Sequence, residues 1–213
     1  VPEVPAVPDA RSLVDRVDAA FDPDEGPLAS LFDGFEPRPG QRVLAQQIAH
    51  AFQHGGMLIA EAGTGTGKTL AYLIPAVLAG RRVLISTGTR NLQDQIFHKD
   101  IPALARAFGR PIHATYMKGR TNYLCRHRFS RLSEAEAGLS PSDRRWLHHI
   151  GEWAAETATG DRAEIDDLPD DLPVWWELTA SSEQCLGREC GQYSECFVTR
   201  MRERAAESEL VVV

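Results

Sequence analysis

Residues 58–70 read Leu-Ile-Ala-Glu-Ala-Gly-Thr-Gly-Thr-Gly-Lys-Thr-Leu, and this run constrains the chain more than any other. Apolar residues lead into small ones, then Lys-Thr, then a helical pattern. That order is a strand, a loop and a helix start, the layout of a phosphate-binding loop (P-loop). Gly63, Gly65 and Gly67 let the backbone curl so that successive N–H groups point at one anion. The following helix presents its positive end to the same anion. Lys68 reaches toward the β- and γ-phosphates of a nucleotide, and the Thr69 hydroxyl suits Mg²⁺. The loop opens on Ala62 where glycine is usual, which is acceptable if that residue keeps a negative φ. The dinucleotide pattern G-x-G-x-x-G fails, because its third glycine position is Lys68. The competing reading is a glycine-rich turn that binds nothing. The ordered strand, Lys-Thr pair and helix argue against it.

The 213 residues are enough for one sizeable domain, or one domain carrying an insert. No apolar run is long enough to span a bilayer, and no leader is visible, so the expected location is the cytoplasm. Val1 in place of Met reads as a trimmed or partial chain. A formal net charge of −7 argues at first against a nucleic-acid partner, but the charge is uneven. Residues 134–184 hold 13 acidic and 3 basic side chains, a net of −10, which leaves +3 for the rest.

Val1 to Asp9 repeats Val-Pro and predicts an extended arm. Leu13, Val14, Val17 and Phe21 are spaced for a short amphipathic helix. Val43, Leu44, Ile48 and Phe52 mark a second helix, Gln41 to Gln53, closed by glycine. Met57–Ala60 predicts a short buried strand feeding the P-loop. Thr69–Ala79 predicts the helix behind it, with a kink or late start at Pro75. Arg81–Thr87 predicts a second strand, apolar as in a parallel sheet covered on both faces. Asn91–Leu104 predicts a helix that breaks near Pro102. Strand and helix in alternation make a doubly wound α/β domain. After Tyr116 the character changes. A basic, aromatic segment Met117–Cys125 precedes a helical stretch, an acidic loop Asp161–Pro173, three close cysteines and a charged helix Thr199–Glu209. Leu210–Val213 reads as another core strand. The expected organisation is an arm and short helix over residues 1–36, an α/β part over 37–116, an insert over 117–207, and a return to α/β at 208–213.

Cys185, Cys190 and Cys196 are spaced C-x-x-x-x-C-x-x-x-x-x-C, and Cys125 stands apart. Four thiolates suit a tetrahedral zinc or an iron–sulfur cluster. Zinc ribbons usually carry two C-x-x-C pairs, and the wider gaps here suit a larger [4Fe–4S] cubane better. Disulfides are the third option and fit poorly with a P-loop chain that has no secretion signal. The insert offers only scattered apolar residues, among them Trp146, Ile150, Trp153, Trp175 and Trp176, so metal ligation is expected to be its main stabiliser.

In this order the motifs resemble the N-terminal part of an iron–sulfur DNA helicase of the DinG/XPD type, superfamily two. The resemblance covers nearly everything from Arg38 onward. It implies a RecA-like P-loop NTPase domain, a parallel sheet with flanking helices, interrupted by a mostly helical iron–sulfur cluster insert. Arg38-Pro39-Gly40-Gln41 resembles the adenine-side motif, with Gln41 as the base contact. Ala62, Gly63, Thr64, Gly65, Thr66, Gly67, Lys68 and Thr69 match motif I, which implies ATP on the loop, Mg²⁺ on Thr69, and catalytic roles for Lys68 and Thr69. Ser86–Gln95 resembles motif Ia and implies DNA contacts from Thr87, Thr89, Arg90 and Gln93. Lys118–Cys125 and the later cysteines resemble the cluster-bearing segments, so Cys125, Cys185, Cys190 and Cys196 are implied [4Fe–4S] ligands. Arg120, Arg126, Arg128 and Arg131 are implied phosphate contacts, with Tyr123 or Phe129 stacking on bases; a solvated helix face is the competing reading of the arginines. The family's D-E-A-H box does not occur in these residues, nor does a second motor domain. The expectation is therefore an incomplete motor, part of a monomeric 5′–3′ helicase that acts on single-stranded or forked DNA in repair or replication. The alternative is a redox-sensing nucleic-acid-binding module with a passive nucleotide site.

Overall fold

The computed structural model describes residues 11–30 and 38–213. The proline-rich arm expected at Val1–Asp9 lies outside the described residues. The chain forms two compact units, Val1–Tyr116 with Ser208–Val213, and Met117–Glu207.

In the first unit, α1 (Leu13–Ala20) opens on a capping box: Ser12 Oγ accepts from Asp15 N, and the Asp15 carboxylate accepts from Ser12 N. Leu13, Val17 and Phe21 are buried, as their spacing predicts. Helix α2 (Pro39–His54) starts on proline, whose missing N–H is harmless in a first turn, and ends at Gly55 with φ +78°. The Arg42 guanidinium grips both oxygens of Asp18 at 2.5 Å, which joins α2 to α1 and holds the Asp18 carboxyl below its usual range. Helix α3 (Lys68–Leu78) continues through Pro75. Ala45, Ala49 and Ala71 are fully buried where α1, α2 and α3 pack together.

Strands β1 (Val83–Ile85), β2 (Ala114–Tyr116) and β3 (Leu210–Val212) form a parallel sheet in the order β1-β3-β2. The last strand of the chain is thus the central one, with Leu84 and Thr115 both facing Val211 in register. Helices α4 (Arg90–Gln95) and α5 (Ile101–Ala107), joined by a π turn (Ile96–Asp100), link β1 to β2. The π turn absorbs the break expected near Pro102, which falls in the first turn of α5, where its missing N–H is tolerated.

Two expectations about this sheet are corrected. Met57–Ala60 is not a buried strand: Met57 and Ile59 are 89% and 88% exposed. A strand exists only when a neighbour takes its N–H and C=O groups, and none of the described strands pairs with this segment. Nor is β1 covered on both faces, because Leu84 is 66% exposed.

The second unit contains α6 (Arg126–Glu134), α7 (Pro141–Glu156), α8 (Pro173–Leu178) and α9 (Phe197–Glu207). Its apolar residues are not scattered. Leu124, Leu147, Ile150, Ile165, Val174, Trp175, Leu178 and Phe197 form one buried cluster, which corrects the expectation of a unit without a continuous core. Trp175 is fully buried, and its Nε1 donates to Thr121 O at 3.0 Å. Gly160 (φ +68°) is required where it stands, because a Cβ there would lie 2.3 Å from the Phe197 ring. The acidic loop is tied down by Glu164, whose carboxylate accepts from Trp153 Nε1 and from the hydroxyls of Thr157 and Thr159. At the start of the unit, Lys118 Nζ sits 2.8 Å from Asp161 Oδ2, both side chains buried.

Candidate functional site

The P-loop turns on two glycines in the left-handed region, Gly65 (φ +74°) and Gly67 (φ +80°). Gly67 is the N-cap of α3, so the loop delivers its N–H groups and the helix its dipole to one place. Gly63 is not left-handed, and Ala62 meets the condition set for it, since no described non-glycine residue has positive φ. Thr66 Oγ1 donates to Gly63 O at 2.9 Å and closes the loop on itself. Thr64 is exposed. Lys68 Nζ donates to the carbonyls of Ala62 (2.5 Å) and Gly63 (2.6 Å), which holds the ammonium over the loop. Thr69 hydrogen-bonds Tyr72, whose phenol pKa is pushed up chiefly by burial. Two cavities, of about 320 and 480 Å³, flank the loop and share Lys68.

Gln41 is 6% exposed and lines the cavity beside the loop, and its Nε2 donates to Gly67 O at 2.9 Å, which braces the loop. A Cβ on residue 67 would lie 2.3 Å from Gln41 Nε2. Gly67→Ala is therefore expected to cost about 1–3 kcal/mol from backbone strain alone. A thermal melt would read this as a lower Tm and as a weaker upward shift on adding Mg-ATP.

The four motif Ia residues divide in two. Thr89 is the N-cap of α4, accepting from Leu92 N, and it stays exposed with Arg90. Gln93 is buried and donates to Val212 O at 3.1 Å, a brace on the central strand and not a DNA contact. The Thr87 hydroxyl is within reach of the carbonyls of Thr89 and Val213, so it too is occupied within the fold.

In the second unit all four cysteines line one cavity of about 260 Å³. None is in a disulfide, and each is half-buried. Cys125 is the N-cap of α6, and Cys196 immediately precedes α9, so two helix N-termini face the thiols. Burial pushes the Cys125 thiol pKa up, and backbone N–H groups of Arg128 and His127 oppose that shift. Cys185, Cys190 and Cys196 ride on consecutive tight turns, with Gly187 N donating to Cys185 Sγ at 3.4 Å. Among the described residues no three His, Cys, Asp or Glu side chains close around a single ion. Four thiols on one cavity are a donor set that fits a thiolate-ligated metal centre.

The basic segment is only partly free for a ligand. Tyr123, expected to stack on bases, is 2% exposed, and its hydroxyl accepts from Lys118 N, which rules out stacking in this fold. Phe129 packs against the buried cluster. Arg126 lies over the Phe197 ring at 4.3 Å. Arg128 donates from Nε to Glu177 O at 2.8 Å. Arg120 and Arg128 line the cysteine cavity, and Arg131 is exposed. Sequence reasoning missed one face of α9. Val198, Thr199, Arg202, Glu203 and Ala206 all line that cavity, a helical spacing visible in the sequence once the helix is started at Phe197.

The sequence model of the DEAD/DEAH box helicase family matches residues 40–131, a span that holds Gln41, the P-loop, motif Ia and Cys125. ATP-dependent DNA helicase YoaA of Haemophilus influenzae is 41% identical over 88% of the chain, and YoaA of Escherichia coli is 38% identical over 91%. ATP-dependent helicase DinG of Mycobacterium tuberculosis is 34% identical over 82%. The chain belongs to the DinG-type helicases of superfamily two. Its small parallel sheet with flanking helices is accordingly the RecA-like fold of a DinG-type helicase. The chain spans 29–30% of the length of these three relatives. Among the described residues no helix is long and apolar enough to cross a membrane.

Proposed function

We propose that this chain supplies the nucleotide cradle and a cysteine-bound [4Fe–4S] cluster of an ATP-dependent DNA helicase that moves 5′–3′ on single-stranded DNA, as a monomer, in repair or replication. The observation that carries the reading is the loop at the N-terminus of α3. Gly65 and Gly67 curl its backbone, Gln41 braces it, and Lys68 is held over its mouth. Phosphoryl transfer asks mainly for positioning and for charge around the γ-phosphate. The loop N–H groups and α3 hold the phosphates. Lys68 would exchange two carbonyls for a phosphate oxygen, and Thr69 would hold Mg²⁺. For DNA, Thr89, Arg90, Arg120, Arg126, Arg128 and Arg131 remain the proposed contacts, while Thr87, Gln93 and Tyr123 serve the fold. Cys125, Cys185, Cys190 and Cys196 are the residues that would hold the cluster. It would supply a covalent tie between the head of α6 and the turns before α9. Support comes from the shared cavity, the helix N-termini and the resemblance to iron–sulfur helicases.

Lys68→Ala tests the cradle. ATP hydrolysis by the helicase is expected to fall on the order of 10²- to 10³-fold, the scale of removing one preorganised charge donor. In this chain the same change is expected to abolish the thermal shift caused by Mg-ATP. Nucleotide binding unaffected by Lys68→Ala would overturn the assignment.

A further inference from the structure

A [4Fe–4S] centre held by four thiolates carries a net charge of −2 when oxidised and −3 after taking up one electron. Such a charge is costly in a half-buried cavity unless fixed positive groups face it. The cysteine cavity has them: Arg120, Arg128 and Arg202 line it, against one carboxylate, Glu203. They differ in how free they are. The Arg128 guanidinium is shared with Glu177, through the carbonyl at 2.8 Å and the carboxylate at 3.4 Å. Arg202 sits on α9, whose opposite side is anchored by buried Phe197, Met201 and Ala205. It is exposed, and its backbone is fixed one turn beyond Val198 and Thr199, which line the same cavity.

The geometry points to Arg202 as a fixed counter-charge that sets the reduction potential of the cluster. The inference rests on the cluster reading above. A cation stabilises the −3 form more than the −2 form, because the attraction scales with the product of the charges. Arg202 therefore raises the potential of the one-electron couple, in the same direction as the α6 and α9 N-termini and the Gly187 N–H to Cys185. It touches no DNA or nucleotide in this role and holds no iron. Because it is exposed, its effect is screened by salt.

The test compares wild type, Arg202→Leu and Arg202→Lys, each prepared anaerobically and assayed for iron and acid-labile sulfide before titration with dithionite. The expected result is equal iron in all three, a lower midpoint potential for Arg202→Leu, and a potential near wild type for Arg202→Lys. The gap between wild type and Arg202→Leu is expected to narrow as salt is raised. Wild type without iron would remove the cluster reading itself. Full iron with an unchanged potential in Arg202→Leu would overturn the counter-charge alone. Loss of iron from Arg202→Leu would also overturn it, since Arg202 would then retain the cluster instead of tuning it.

Discussion

Lys118→Met is expected to destabilise the Met117–Glu207 unit by about 3–5 kcal/mol, the cost of leaving one member of a buried ion pair alone. Lys118 and Asp161 are 5% and 1% exposed at the side chain, and their charged atoms are 2.8 Å apart. Asp161 Oδ2 has no hydrogen-bond partner beyond that ammonium. Asp161 Oδ1 is already committed to the N–H of Ala163, and the Asp161 backbone bridges to Tyr123. The pair therefore pins the segment entering the unit to the loop that follows α7. Denaturant unfolding followed by tryptophan fluorescence reads the loss, since three of the four tryptophans, Trp146, Trp153 and Trp175, pack in or against this core. Adding Asp161→Asn to Lys118→Met keeps an acceptor for Ala163 but removes the stranded charge, and is expected to recover much of the stability. A double variant no more stable than the single one would show that the carboxylate is not the source of the penalty.

Cys190→Ser is expected to abolish iron binding while leaving α6, α7 and α8 folded. Serine is a poor ligand where a thiolate is needed, and a four-ligand site fails when one ligand goes. The result on the fold is where the structure changes the expectation. A unit without a core would unfold, as small metallo-domains do. Here Leu147, Ile150, Trp175, Leu178 and Phe197 are buried on their own account. The loss should be local. The turns carrying Cys185 to Cys196 are mostly exposed, so protease is expected to cut there first, and α7 should stay protected. Iron analysis, far-UV circular dichroism and limited proteolysis check the three parts. A unit cut throughout would show that the core is insufficient without the metal.

Much of the first unit was legible because its signals are local. Amphipathic spacing, a closing glycine and a glycine-rich loop act within a few residues, so Leu13, Val17 and Phe21, Gly55 and the run from Gly63 to Gly67 can be read directly in the chain. Met57–Ala60 was misread for the opposite reason. An apolar run has strand character only if another segment pairs with it, and pairing is not a property of four residues. The core of the second unit was misjudged because its members come from Leu124 to Phe197, and no periodicity links residues so far apart. Gln93 and Tyr123 were given binding roles by the resemblance. Each is instead buried, with its polar atom bonded inside the fold.

The sequence alone determined the P-loop, the parallel α/β character of the first unit and the set of four cysteines, because residue chemistry at fixed short spacing carries each of them. Tertiary structure decided what spacing cannot encode. It set β3 between β1 and β2, although nearly a hundred residues separate β2 from β3 in the chain. It drew Cys125 to the same cavity as Cys185, Cys190 and Cys196, and set Arg202 beside them. Long-range contacts like these are chosen by burial and hydrogen-bond satisfaction over the whole fold, which no single stretch of sequence contains.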